Sequence, residues 1–267
     1  MIEIGSFDDQ KYHDYKILNS SNRSCVIRAL DKDLTPVLLK FFMKIPNNDS
    51  FITDPDYNQI IPRELFYLMR LTGNEYVPKL LNYHDNDHTS IVVMEFLGND
   101  WMDLFQYTLS NNAECIIREI VVKIIVAIYE PSKNEFYHRN IKPENVMINT
   151  ATLEIKLIDF EHMFYSELEN PFCQSTVGTI GYKSPESFNN NCYNLKSSLV
   201  FNIGCLVYSC IENKSAFVSQ EDTITCKRLE MTCSPRLAAS FISKCTTRNV
   251  EERMNFHDLL RDEWFSY

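Results

Sequence analysis

The stretch at residues 137–147, with the sequence YHRNIKPENVM, constrains this chain more than any other. It leads into a predicted β-hairpin whose second strand covers residues 155–158, and Asp159 follows that strand directly. Asn140 and Asn145 place two amides in the stretch. An amide has no useful basicity near neutral pH, so Asn140 can orient a hydroxyl group but cannot take its proton.

The length and composition are those of an ordinary globular protein. The chain has 267 residues, which suits one large domain or two tightly joined lobes. It is 45% hydrophobic and 23% charged, so it can bury a core. A formal net charge of −10 argues weakly against nucleic acid or an anionic membrane as the main partner, because both are bound through a surplus of Lys and Arg.

The cysteines indicate a reducing compartment. There are nine, an odd number, and no C-x-x-C pair occurs. This predicts free thiols and not a disulfide framework or a zinc site. The acidic N-terminus has no long apolar run and is not expected to be a signal peptide. We therefore expect an intracellular protein, cytoplasmic or nuclear, with neither a membrane nor a nucleic acid as partner.

The N-terminal part is predicted to be rich in β-structure. Residues 12–45 alternate between apolar and polar, and the polar run at 19–24 marks a hairpin turn. The next apolar strand ends in Lys40, and a single Lys in this position is usually just a snorkelling edge residue, so alone it is a weak signal. Residues 90–98 predict a buried strand that runs into a loop.

Helices are predicted mainly in the C-terminal part. An early helix begins after Pro62 and carries Glu64 in its first turn, where the helix dipole alone would favour an acid. Residues 101–109 predict a short amphipathic helix. Residues 115–129 keep apolar residues at helical spacing, and this helix is expected to end before Pro131.

Taken in order, the motifs resemble those of eukaryotic protein kinases over essentially the whole chain. They are V-L-L-K at 37–40, the helix glutamate Glu64, H-R-N-I-K-P-E-N at 138–145, I-D-F at 158–160, G-T-I-G-Y-K-S-P-E at 178–186 and E-R-M at 252–254. Each is weak alone, but chance would hardly supply all of them in this order. Residues 103–105 and 253–260 are most similar to the Pim branch of the calmodulin-kinase-like group.

The resemblance implies an α+β, bilobal protein kinase-like fold as a single domain over residues 1–267. A small β-rich N-lobe would cover about 12–95, a hinge about 95–99, and a mainly helical C-lobe about 100–267. The activation segment would end at Glu186, which has a distant candidate partner in Arg253. Ser175 and Thr176 would be its candidate phosphorylation sites, and Arg139 would be placed to receive such a phosphate.

The resemblance also implies ATP and Mg²⁺ as cofactors and assigns roles to particular residues. Lys40 would grip the α- and β-phosphates and pair with Glu64. The implied nucleotide-binding set is Val26, Leu38, Lys40, Glu64, Glu95, Leu97 and Met147. The implied catalytic set is Asn140, at the catalytic Asp position, and Lys142, which would contact the γ-phosphate. The implied metal ligands are Asn145 and Asp159.

The chain departs from the family pattern mostly where the phosphoryl group is transferred. Asn140 replaces the catalytic Asp. The three glycines whose bare backbone closes over the phosphates are replaced by Asn19, Ser21 and Ser24. Leu38, where Ala is usual over adenine, and Glu161, in place of the Gly after Asp-Phe, both disfavour bound ATP.

Two functions stay open, and the first is preferred. In the first, the protein is a pseudokinase with weak or absent ATP binding that works by binding a protein partner, as a scaffold, decoy or allosteric regulator of a kinase pathway. In the second, it is an active but slow Ser/Thr kinase with a protein substrate, because a dissociative transition state needs little help from a base. The retained residues Lys40, Glu64, Asn145 and Asp159 suit weak nucleotide binding and a ligand-free structural role equally well. The oligomeric state is left open.

Overall fold

The computed structural model describes residues 4–5, 11–21, 24–45, 49–133, 136–166, 172–174, 177–188 and 192–266. The chain divides into two compact units, Met1–Asn99 (unit 1) and Asp100–Tyr267 (unit 2). Unit 1 is built mainly of strands and unit 2 mainly of helices. This agrees with the predicted α+β class and its order of a β-rich part before a helical part.

Unit 1 contains one large sheet, a small hairpin and a helix. Its elements are β1 (Ile4–Gly5), β2 (Tyr12–Ser20), β3 (Ser24–Asp31), β4 (Pro36–Met43), β5 (Phe51–Asp54), β6 (Gln59–Pro62), α1 (Arg63–Arg70), β7 (Leu80–Asp85) and β8 (Thr89–Glu95). The sheet has the strand order β1-β7-β8-β4-β3-β2, whereas β5 and β6 pair only with each other. The predicted sheet over residues 12–45 corresponds to β2, β3 and β4.

Alternation along β4 gives the sheet two different faces. Val37 and Leu39 are buried in an apolar cluster with Ala29 and Val93. Because successive side chains of a strand point to opposite faces, residues 38 and 40 lie on the other face. The face of Val37 and Leu39 is therefore packed into the core of unit 1, and Lys40 lies on the opposite face.

Helix α1 has the start predicted from the sequence. It begins directly after Pro62, with Glu64 in its first turn. Leu65 and Leu68 are buried, one turn apart on the same face. The helix ends at Arg70, and the backbone N–H of Leu71 still donates to Tyr67 O at 2.9 Å.

Unit 2 contains five α-helices among the described residues, together with short strands and 3₁₀ turns. Its α-helices are α2 (Leu104–Ser110), α3 (Glu114–Lys133), α4 (Leu195–Glu212), α5 (Gln220–Thr225) and α6 (Arg236–Cys245). Its strands are β9 (Trp101–Asp103), β10 (Phe136–Tyr137), β11 (Val146–Asn149), β12 (Ile155–Leu157), β13 (Phe164–Tyr165), β14 (Phe172–Cys173) and β15 (Tyr193–Asn194). Its 3₁₀ helices are Pro143–Asn145, Phe160–His162, Pro185–Phe188, Phe256–Arg261 and Glu263–Ser266.

Helix α4 forms the centre of unit 2. It begins at Asn194, whose side chain accepts a hydrogen bond from Ser197 N at 2.9 Å, and it ends at Asn213 in a left-handed conformation. By length and composition alone this helix could cross a membrane, but 83% of its residues are buried inside the fold. A buried core helix passes the same test, so the apolarity of α4 reflects packing.

Two predicted helix boundaries are wrong. The helix predicted at 101–109 starts only at Leu104, because Asp103 caps it by accepting from Gln106 N at 2.9 Å, and residues 101–103 instead pair with β11. Helix α3 does not end before Pro131 but continues to Lys133. A proline inside a helix removes one backbone hydrogen bond and crowds the carbonyl four residues earlier, but tertiary packing overrides this preference at the buried Pro131.

The predicted pair of Glu186 and Arg253 is present. Arg253 is 5% exposed and binds both carboxylate oxygens of Glu186, at 2.6 and 2.9 Å. It also donates to Ser197 O at 3.1 Å and to Thr247 O at 2.9 Å. One guanidinium group therefore holds together the Pro185–Phe188 turn, the first turn of α4 and the loop after α6.

Candidate functional site

In unit 1, the strand lysine and the helix glutamate form an ion pair. Lys40 Nζ contacts Glu64 Oε2, and the two side chains are 11% and 4% exposed. Pairing of β4 with both neighbours fixes the lysine, which lies directly across from Val26 on β3 and Val92 on β8. A buried charge left without its partner is strongly destabilising, so each member of the pair holds the other in place.

The remaining predicted nucleotide residues of unit 1 lie nearby on the same sheet. Leu38 precedes Lys40 by two residues and lies across from Met94, so both share the face of Lys40. Glu95 ends β8, where its N–H donates to Lys79 O at 3.0 Å and its carboxylate accepts from Lys79 N at 2.9 Å. Leu97 follows in the half-buried loop after β8.

The turn between β2 and β3 is closed by its own hydrogen bonds. The N–H of Ser21 donates to Ser24 O at 2.8 Å, and the N–H of Ser24 donates to Ser21 Oγ at 3.1 Å. The backbone donors that a glycine-rich loop would offer to phosphate are therefore occupied at two of the three substituted positions. The third position, Asn19, lies within β2 and pairs with Val26.

In unit 2, three of the predicted residues form one cluster. Asn145 Nδ2 donates to Asn140 O at 2.9 Å, which closes the loop between the two amides. Both amide nitrogens also approach Asp159 Oδ2, each at a long 3.4 Å. Asp159 adopts a left-handed backbone conformation with φ of +69°, which turns its carboxylate away from the regular path of the strand that precedes it.

A residue outside the predicted set completes this cluster. The Thr179 hydroxyl donates to Asn140 Oδ1 at 2.8 Å. Thr179 lies between Gly178 and Gly181, whose φ values are +114° and +96°, and a Cβ at Gly181 would lie 2.7 Å from Phe217 O. The bend is anchored to α4, because Asn202 Nδ2 donates to Tyr182 O at 2.5 Å. In the sequence, the only signal for this contact is the threonine between two glycines in the G-T-I-G-Y motif.

His138 is a buried neutral side chain beneath the cluster. Its Nε2 donates to Ile158 O at 3.0 Å, and its ring centroid is 5.3 Å from that of Phe160. Burial lowers the pKa of His138 to about 4, although the nearby Asp159 carboxylate opposes this shift. The histidine therefore stays uncharged at neutral pH and positions backbone instead of carrying a proton.

Arg139, expected to receive an activation-segment phosphate, is engaged with other groups. Its Nε donates to His162 O at 2.6 Å and its Nη1 to Cys173 Sγ at 3.1 Å. Cys173 lies in β14, which pairs with β15 before α4. Ser175 and Thr176 lie outside the described residues.

Lys142 and Met147 belong to the same stretch of chain as Asn140 and Asn145. Lys142 is half-buried and directly precedes the turn Pro143–Asn145. Met147, also half-buried, lies on β11 between Asp103 of β9 and Lys156 of β12. Glu161 is half-buried in the short 3₁₀ helix that follows Asp159.

The donor set of unit 2 fits Mg²⁺, whereas the hairpin turn does not fit a phosphate cradle. Asn145 uses its Nδ2 for hydrogen bonds and keeps Oδ1 as an oxygen ligand beside the Asp159 carboxylate. Carboxylate and amide oxygens suit a hard divalent cation. The N–H groups of Ser21 and Ser24, in contrast, already have partners within the turn.

The β-rich unit with its Lys–Glu pair and the helical unit with its Asn–Asp cluster define the kinase class of fold. The chain belongs to the protein kinase domain family, whose model matches residues 12–265.

Several protein kinases are similar to the chain. The carbon catabolite-derepressing protein kinase of Candida glabrata is 25% identical over 226 residues, covering 82% of this chain and 36% of that protein. Serine/threonine-protein kinase prk-2 of Caenorhabditis elegans is 26% identical, covering 76% of this chain and 47% of that protein. Serine/threonine-protein kinase 1 of African swine fever virus is 24% identical, covering 86% of this chain and 72% of that protein. The chain thus spans less than half the length of the first two relatives.

Proposed function

We propose that this protein is a catalytically impaired kinase homologue, a pseudokinase, that acts by binding another protein as a scaffold, decoy or regulator in a kinase pathway. The observation that carries the proposal is the hydrogen bonding of Asn140. Its Oδ1 accepts from Thr179 and its Nδ2 points to Asp159. An amide nitrogen donates and does not accept, so the group at the position of the base cannot remove a proton from a substrate hydroxyl.

The size of the expected loss in rate supports catalytic impairment. Removing a general base typically lowers a rate by about 10²–10⁴-fold. Phosphoryl transfer also depends on positioning, and the closed turn at Ser21 and Ser24 offers no backbone donors from those two residues. Both losses act on phosphoryl transfer through different groups, so together they should lower the rate further than either alone.

Weak binding of ATP with Mg²⁺ forms part of the proposal. Lys40, held by Glu64, is the group that would contact the phosphates, and Asn145 and Asp159 are the oxygen ligands that would hold the metal ion. Bound ATP would supply the phosphoryl group. An intracellular location, cytoplasmic or nuclear, is also proposed, supported by nine free thiols.

A thermal-shift titration with ATP and Mg²⁺ or Mn²⁺ tests the nucleotide part, with Asp159→Asn as the control. A ligand that binds only the folded state raises the Tm by mass action. We expect a small, metal-dependent rise that Asp159→Asn removes. Transfer of the γ-phosphate to a generic protein substrate should not exceed the level of Lys40→Met, and brisk transfer that Lys40→Met abolishes would overturn the proposal.

A slow Ser/Thr kinase is the second candidate, and one observation favours it. Asn140 Oδ1 accepts a hydroxyl group, that of Thr179, at 2.8 Å. The same oxygen could orient a substrate hydroxyl without accepting its proton. This candidate predicts a low transfer rate that Lys40→Met abolishes and Asn140→Asp raises, whereas the preferred function predicts a rate equal to the background in the parent chain.

A further inference from the structure

A pocket in unit 2, formed by residues that the Asn140 cluster does not use, has a volume of about 350 Å³. It lies where the chain leaves α5 and passes the end of α6. Its lining includes the apolar Phe217, Leu229 and Met231, the cationic Lys227 and Arg228, and the hydroxyl of Ser243. Its volume falls within the range of small-ligand sites, about 300–1,000 Å³.

The backbone at the end of α5 produces this arrangement. Cys226 caps the helix in a left-handed conformation with φ of +46°, and its N–H donates to Thr223 O at 3.0 Å. The N–H of Lys227 then donates to Asp222 O at 2.9 Å. The chain turns sharply, so that the two cationic residues are exposed at the rim while Leu229 packs against the cluster around Phe217.

The charges around the pocket are unbalanced. No acidic residue is among those that line it in the described part of the chain. Lys227 lies 3.6 Å from Asp222, a long and exposed contact, and Arg228 makes no ion pair within the described residues. Burial raises the pKa of the Cys226 thiol, whereas the charges of Arg253 and Arg248 oppose that rise.

The overall charge of the chain makes this local excess distinctive. Arg253 is paired with Glu186, and Lys227 and Arg228 are the cations that line the pocket, with Asp222 and the exposed Glu230 beside them in the chain. The whole chain carries −10. A long polyanion such as nucleic acid would be repelled by the rest of the surface, whereas a short acidic segment can place its carboxylates beside Lys227 and Arg228 alone.

We propose that this pocket binds an acidic peptide segment of a partner protein, with one apolar side chain against Leu229 and Met231 and carboxylates beside Lys227 and Arg228. An apolar floor with a charged rim is the usual composition of a peptide-binding pocket. This inference rests on the proposed function in one respect: it takes the ligand to be a protein and specifies the chemistry of the segment that binds. Binding here requires neither nucleotide nor transfer.

Fluorescence anisotropy with a labelled peptide tests the proposal on the full chain. The probe has one Leu flanked on both sides by glutamates, and its control has glutamines instead. We expect the glutamate peptide alone to bind, with affinity falling as salt rises. Arg228→Glu should weaken binding about tenfold or more, because a like charge then faces the carboxylates. Lys32→Glu, the same charge change on an exposed turn of unit 1, should leave binding unchanged.

Alkylation of Cys226 gives a second measurement that does not depend on a variant. Mass spectrometry should show that the glutamate peptide slows alkylation of half-buried Cys226 but not of exposed Cys233. The proposal is overturned if the glutamine peptide binds equally well, if Arg228→Glu binds like the parent, or if no binding is seen up to about 1 mM. These results leave the nucleotide titration and the transfer assay unaffected, so the two proposals fail independently.

Discussion

At the scale of single residues, Asn140 decides how the unit 2 cluster is held together. Its amide donates toward the same Asp159 oxygen that Asn145 approaches, so two N–H groups face one carboxylate. An Asp at this position would face Asp159 with a second negative charge. Asn140 therefore gives the cluster a partly neutralised form that needs no cation.

This leads to a prediction for Asn140→Asp. Without divalent cations, we expect this variant to lose about 1–3 kcal/mol of unfolding free energy, because a hydrogen bond becomes a repulsion between carboxylates. Mg²⁺ should restore much of the loss and should raise the Tm of the variant more than that of the parent. Differential scanning fluorimetry with EDTA or Mg²⁺ measures both effects.

Asn149→Asp is the matched control for that experiment. Asn149, on β11, undergoes the same amide-to-carboxylate change in this variant. Its Oδ1 accepts hydrogen bonds from Ala151 N at 2.9 Å and Thr152 N at 3.1 Å. An aspartate keeps both bonds, so the control should show no dependence on Mg²⁺. Equal responses of the two variants to the cation would contradict a cation site at Asn140.

At the scale of secondary structure elements, Arg253 joins segments that are far apart in sequence. Arg253→Lys keeps the charge but cannot bind Glu186 through two N–H groups or reach Ser197 O and Thr247 O at the same time. We expect the variant to lose about 2 kcal/mol or more of unfolding free energy in urea denaturation. Arg248→Lys, on an exposed side chain, should change it by less than about 0.5 kcal/mol. A similar small change in both variants would refute the structural role of Arg253.

The boundaries of the elements show which local signals were decisive. The start of α1 after Pro62 was predictable, because that proline is a strong local signal. The start of α2 was missed because Asp103 was taken as an interior residue, although its carboxylate caps the helix. The end of α3 was missed because the proline was taken as a fixed boundary, although tertiary packing overrides that local preference at the buried Pro131.

At the scale of the whole molecule, the burial of His138 links the stability of the fold to pH. Its pKa is about 4 in the folded chain, against an ordinary 6.5. Below pH 6.5 the unfolded chain binds a proton that the folded chain does not, so stability is complete above pH 6.5 and decreases as pH falls toward 4. Between pH 7 and pH 5 the free energy of unfolding should fall by about 2 kcal/mol.

The pH dependence is measured by urea denaturation of the full chain and compared with two variants. His138→Gln should remove most of the slope between pH 7 and pH 5, whereas His88→Gln, on an exposed turn, should keep it. If His138→Gln keeps the slope of the parent, the titrating group lies elsewhere. Because the sequence pI is about 5.1, solubility should be lowest near the acid end of this range, so low protein concentrations are needed.

The sequence by itself determined the fold class, the family, most of the strands and the two ion pairs of Lys40 with Glu64 and Arg253 with Glu186. Local periodicity indicates the strands, whereas the family and the two ion pairs follow from the resemblance of the ordered motifs to those of protein kinases. Only the tertiary structure decided that Thr179 binds Asn140, that Arg139 contacts Cys173, and that Lys227 and Arg228 line a pocket at Cys226. Thr179 and Asn140 are 39 residues apart, and the bend that joins them depends on packing against α4. No local pattern encodes such contacts, because they form only when distant segments are brought together by burial of the core.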